Sequence, residues 1–145
     1  MQQKSTQELL DALSGTGDLE QFLEENRDQF DPRHLSEFLQ QYMQEKGAKR
    51  GDVIRASQLN EVYAYQILNG TKEPARDKVL CLLLAIGVTV QQAQTLLKVC
   101  GYAPLYAKDK RDCVLLYAVE HQWSVLQTNI ELESRGWKEL IAING

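Results

Sequence analysis

From residue 35 onward the apolar side chains recur three and four positions apart, in runs that each end at a glycine. Leu35, Phe38, Leu39, Tyr42 and Met43 precede Gly47, and Val90, Ala93, Leu96 and Leu97 precede Gly101. Between them, residues 79–86 are apolar almost throughout and precede Gly87. Spacings of three and four put side chains on one face of a helix, whereas a strand needs alternation at every second residue. No segment sustains such alternation, so the chain reads as all-α, a set of short helices with glycine stops.

The elements follow from that spacing. Leu9, Leu10 and Leu13 mark a short first helix before the break at 14–17, and Asp18 opens a segment carrying Leu19, Phe22 and Leu23. Asp31-Pro32 reads as an N-cap followed by a first-position proline for the helix of Leu35 to Met43. Short helices are expected over about 49–57 and 60–69, joined by a tight turn at 57–59. Gly70 closes the second of them, Glu73-Pro74 starts the next helix, and Thr89 caps the one after Gly87. Residues 79–86, apolar all round, predict the central helix of the bundle. Past the linker at 102–106, helices are expected over about 109–121 and 124–135. Their inner faces would be Val114, Tyr117 and Ala118, then Val125, Leu126 and Ile130. Trp123 and Trp137 would anchor these last helices, although an exposed one would suit a partner surface.

Several function classes fall away. With 43% apolar and 25% charged residues, 145 residues suit one compact folded domain rather than disorder. No apolar run is long enough to span a bilayer, and the polar start lacks a signal-peptide core, so a cytoplasmic protein without a membrane partner is expected. Cys81, Cys100 and Cys113 are dispersed among apolar residues and form no CxxC, and only His34 and His121 accompany them. They read as small apolar side chains in a reducing compartment, with no metal and no cofactor. There is no phosphate-cradling glycine loop, nucleophile elbow or HExxH, and the paired Glu24-Glu25 sits in a solvated acidic run. No enzyme is expected.

The net charge of −4 is unevenly placed. Residues 1–45 hold three basic and ten acidic side chains, 46–78 hold seven basic and four acidic, and 79–145 hold six of each. The one basic stretch contains residues 49–70, KRGDVIRASQLNEVYAYQILNG. Val53, Leu59, Ala64 and Ile67 supply a small core shared by two helices, and Ser57 is small enough for a tight turn. Asn60 is placed to cap the second helix, leaving Glu61, Val62, Tyr65 and Gln66 to face outward. Tyr63 and Tyr65, two apart, cannot share a face, so one is expected in the core and one outside.

This stretch resembles the helix-turn-helix family of phage lambda-type repressors, Cro proteins and xenobiotic-response-element regulators. The similarity is clearest at Ile67-Leu68-Asn69-Gly70-Thr71-Lys72-Glu73-Pro74 and continues through the leucine-rich helix, Gly87-Val88-Thr89-Val90 and the capped helix, covering about 35–98. Gln58 stands where that family usually has glycine, and Ile54 where it usually has alanine. The tail from Leu96 through Leu132 is similar to an arrangement found in small Gram-positive proteins with such a domain.

The resemblance implies a lambda-repressor-like bundle with extra N- and C-terminal helices. It divides the chain into an acidic segment at 1–30, a DNA-binding domain at 31–101 and a helical extension at 102–145 packed on the same bundle. It implies a transcriptional regulator that reads double-stranded DNA in the major groove with helix 60–69, acting as a homodimer. Glu61, Val62 and Gln66 would read bases, Gln66 through the N6 and N7 atoms of adenine. Lys49, Arg50, Asn60, Asn69 and Lys72 would meet the DNA backbone. For each cation the plain alternative is a solvated surface charge. The alternative function is a protein-interaction adaptor of the same fold without DNA affinity, to which the acidic N-terminus and the tyrosines point. The C-terminal helices are a candidate surface for a dimer or a protein partner, and the acidic segment for a competitor of DNA.

Overall fold

In the computed structural model, which describes residues 3–30 and 33–142, all regular structure among the described residues is helical. The chain divides into two compact units, Met1–Pro32 and Arg33–Gly145.

The first unit holds α1 (Thr6–Gly15) and α2 (Leu19–Glu25). Ser5 and Asp18 cap them by accepting from the N–H groups of Glu8 and Gln21. α1 buries none of its residues, while Phe22 of α2 is buried and meets Phe30 edge-on at 6.4 Å. The buried Asn26 donates to the Phe22 carbonyl at 2.9 Å and so ties the end of α2 back onto its own last turn.

The second unit holds α3 (Leu35–Lys46), α4 (Arg50–Ser57), α5 (Glu61–Leu68), α6 (Arg76–Ile86), α7 (Val90–Val99), α8 (Lys110–Glu120) and α9 (Val125–Ser134). α6 is the axis: seven of its eleven residues are buried, and it touches α3, α4, α7, α8 and α9. A helix apolar on every side satisfies itself only by being surrounded. Cys81 lies on this axis, where burial pushes its thiol up to about 12. Cys100 is half-buried, but Cys113 is exposed, contrary to the reading of all three as apolar filling. α7 starts with a full capping box between Thr89 and Gln92.

Three boundaries and faces differ from the sequence reading. α3 begins at Leu35 with His34 as its N-cap, and the expected Asp31-Pro32 cap lies outside the described residues. α6 begins at Arg76 with Ala75 as N-cap, two residues after Pro74. The Tyr102 hydroxyl donates to the Pro74 carbonyl at 2.6 Å, anchoring the buried proline in an extended segment ahead of the helix.

The third difference is the largest. Tyr117 (53% exposed), Leu126 (45%) and Ile130 (61%) face outward, while Val114 is half-buried. The buried positions are Asp112, Leu115, Ala118 and Val119 in α8, and Val125, Thr128, Asn129 and Leu132 in α9. Polar residues are tolerated inside because each finds partners. Thr128 donates to the Ser124 carbonyl at 2.8 Å, and Asn129 accepts from the Leu140 N–H at 2.8 Å and donates to the Ile141 carbonyl at 3.4 Å.

The turns that precede α7 and α9 are keyed together. Gly87 has φ +82, and a Cβ there would lie 2.7 Å from Oε1 of Gln122. Gln122, itself left-handed at φ 57, donates through Nε2 to the carbonyls of Val88 and Val119.

Candidate nucleic-acid interface

α4 and α5 have eight residues each and meet through the turn at 58–60. Val53, Ile54, Ser57, Ala64, Ile67 and Leu68 are buried, and Leu59 and Tyr63 pack against that core. The turn is set by two local devices. Ser57, fully buried, donates from Oγ to the Ile54 carbonyl at 2.6 Å and accepts from the Leu59 N–H at 3.2 Å. Gln58 takes the left-handed conformation (φ 64), the role that glycine fills most readily, and its amide donates to the Arg55 carbonyl.

Asn60 caps α5 by accepting from the Tyr63 N–H at 3.1 Å. Its oxygen thus satisfies one of the free donors at the helix start. The cap fixes the direction of the first turn, from which Glu61 and Val62 project; Val62 is 65% exposed. Tyr63 is half-buried and Tyr65 is 47% exposed, so the two tyrosines divide between core and surface. Gln66 is half-buried rather than fully outward, and its side-chain amide has no hydrogen-bond partner among the described residues.

Arg50 begins α4 and reaches across to α5. Its Nη1 donates to the Tyr65 hydroxyl at 3.1 Å, with the guanidinium 5.0 Å from the ring centroid. Arg50 and Tyr65 therefore join one exposed face built from both helices. Arg55, which sequence spacing did not single out, lines the same shallow hollow of about 440 Å³ together with Arg50, Glu61 and Tyr65. It is exposed and paired with Asp52 one turn earlier. The signal was its place in the last turn of α4, obscured by an acidic neighbour three residues away.

The remaining predicted residues are dispersed. Lys49 is the exposed N-cap of α4 and makes no side-chain cap bond. Asn69 ends α5 and turns its side chain inward on the chain, accepting from the Thr71 N–H at 3.0 Å. Lys72 is exposed and lines a hollow of about 210 Å³ with Ser36 and Glu73, near the start of α3. Arg50, Glu61 and the turn are thus brought together, while Asn69 and Lys72 lie at the other end of α5. No group of three or more His, Cys, Asp or Glu is placed to hold a metal among the described residues. No helix among them is long and apolar enough to cross a membrane. No protein-family model, curated protein or solved structure gives a match to this chain.

Proposed function

We propose that this chain is a sequence-specific double-stranded DNA-binding protein of the repressor-like helix-turn-helix type, acting in transcription and reading the major groove with α5. One observation carries the reading. α5 is a short, capped helix with its inner face committed to the core, while Glu61, Val62 and Tyr65 are exposed beside Arg50 of α4. A recognition helix needs this division, with side chains near its start free for base edges and a neighbouring helix supplying cations for phosphate. The pair lies within the run α3 to α7, where α4 packs on α6 and α5 on α3, and this run covers the residues over which the sequence resembles that family. Base contact is assigned to Glu61, Val62 and the unpartnered amide of Gln66, and phosphate contact to Lys49, Arg50 and Lys72. A homodimer would double a small phosphate footprint.

Selection from a randomised duplex library at moderate salt tests this. Enrichment of one short motif is expected. Gln66→Ala should weaken binding to that motif by about 1–3 kcal/mol and leave non-specific binding unchanged. Arg50→Ala should weaken all sequences alike and reduce the salt slope by about one unit. A selection that enriches nothing, with both variants behaving as the parent, would replace DNA reading by the adaptor reading. That second reading draws on Val62 and Tyr65, three apart on one face beside an acidic residue, which suit a protein surface as well as a thymine methyl.

A further inference from the structure

We propose that the groove between α8, α9 and the segment after α9 binds a small planar aromatic carboxylate, with its ring against Trp123, Trp137 and Tyr117 and its carboxylate at Lys110. This site goes beyond the DNA reading and does not depend on it.

The groove has a volume of about 940 Å³. Sites for small molecules fall at about 300–1,000 Å³ and combine aromatic walls with a few polar groups. Both tryptophans of the chain line it, together with Tyr117 and Val114. Trp123 and Trp137 are half-buried and packed against the core, and Tyr117 beside them is exposed, so the groove has an aromatic wall open to solvent.

The walls are fixed in place. Tyr117 stacks on His121 at 3.9 Å between centroids and meets Trp123 edge-on at 5.3 Å. The strand of chain that carries Trp137 is pinned at three points. The Trp137 backbone N–H donates to the Leu132 carbonyl at 3.0 Å, Arg111 donates to the Lys138 carbonyl at 2.9 Å, and the Leu140 backbone N–H donates to the buried Asn129. Fixed aromatic faces take a flat ring at low ordering cost, which is what preorganisation means for binding.

Charge selects among flat ligands. Glu131 is engaged by Arg135 at 2.7 Å. Asp109, next to Lys110, spends its carboxylate on the α8 cap by accepting from the Asp112 N–H at 2.9 Å. Lys110 is left without an acidic partner among the described residues, and Arg135 retains its terminal nitrogens. Two cations and one carboxylate give the groove a positive balance, which repels an ammonium ligand and attracts an anion.

The test follows the two indole N–H cross-peaks in ¹H–¹⁵N spectra of the full chain. The probes are 2-naphthoate, 2-naphthylmethanol and 2-naphthylmethylammonium. Both peaks should shift saturably with 2-naphthoate, with a midpoint below about 1 mM. The neutral alcohol should bind about fivefold more weakly, and the ammonium more weakly still. Lys110→Gln, at an exposed position, should weaken naphthoate about fivefold and leave the alcohol unchanged. Absence of any shift at several times that concentration overturns the site. Equal midpoints for acid and alcohol, or a naphthoate midpoint indifferent to Lys110→Gln, overturns the assignment of the carboxylate.

Discussion

Arg111 grips Asp77 with both arms of its guanidinium, Nη1 on one carboxylate oxygen and Nη2 on the other, each at 3.2 Å. Their neighbours, Arg76 and Asp112, form a second pair at 2.8 Å, so α6 and α8 are fastened by two reciprocal ion pairs, largely shielded from solvent.

Asp112 has the greater part in that fastening, since it also accepts from the Tyr106 N–H at 2.9 Å. Removing one member of a shielded pair strands the other. Arg76 would keep the long bond from Nη2 to the Pro104 carbonyl at 3.4 Å, and its buried Nε makes no hydrogen bond. Asp112→Ala is expected to lower stability by about 3 kcal/mol and Asp77→Ala by about 2 kcal/mol. Urea denaturation gives both values, and a larger loss at Asp77 would contradict this ordering.

The left-handed Gln58 predicts a gain. Gln58→Gly removes the steric penalty of φ 64 at the turn between α4 and α5, and should raise stability by about 0.5–1 kcal/mol. Gln58→Val, β-branched at the same φ, should lower it by at least about 1 kcal/mol. Thermal melts of the two variants should therefore move in opposite directions.

The cysteines should separate by reactivity. Cys113 is exposed and should react with a thiol reagent in the native protein, whereas Cys81 should react only on unfolding. Cys81 also links stability to alkaline pH. Its thiol ionises at 9.0 ordinarily and at about 12 when folded, so its contribution is complete below pH 9 and is lost as pH rises toward 12. The loss should be about 1.4 kcal/mol per pH unit in that window, and absent from the pH slope of Cys81→Ala.

Asp52 restrains Arg55 in the candidate interface. On the DNA reading, Asp52→Asn frees a cation and removes a charge that repels phosphate. Non-specific affinity should rise, and the salt slope should steepen by about one unit. Titrations at several salt concentrations measure this, and an unchanged slope would place Arg55 away from the duplex.

The helical frame was legible because its signals are local. Gly47 and Gly87 end α3 and α6 in the left-handed conformation, and Asn60 and Thr89 cap α5 and α7. In the candidate interface, the core positions Val53, Ala64 and Ile67 follow from spacing alone. What escaped the sequence is non-local. Asn129 is buried because its partners arrive from residues 140 and 141, and nothing in the spacing of α9 announces them. Spacing that counts only apolar residues puts Leu126 and Ile130 inward beside Val125, whereas the buried face of α9 is Val125, Thr128, Asn129 and Leu132. Arg50 was identified by position, but its contact with Tyr65 depends on how α4 and α5 cross. α6 starts at Arg76 and not at Pro74, whose carbonyl is held by a tyrosine 28 residues away, a contact that local spacing does not announce.

The central place of α6 bears on how the chain can be divided. A helix enclosed on every side has no face of its own to give to water, and part of its enclosure comes from α8 and α9. A fragment ending near residue 101 would keep every side chain assigned to DNA yet bare one flank of that axis. The turn at Gly87 would lose Gln122, whose side chain packs on it and donates to the Val88 carbonyl. In this chain the α4–α5 pair and its tail are one inheritable object: a graft of residues 33–101 onto another protein would have to bring a substitute for α8 and α9 along.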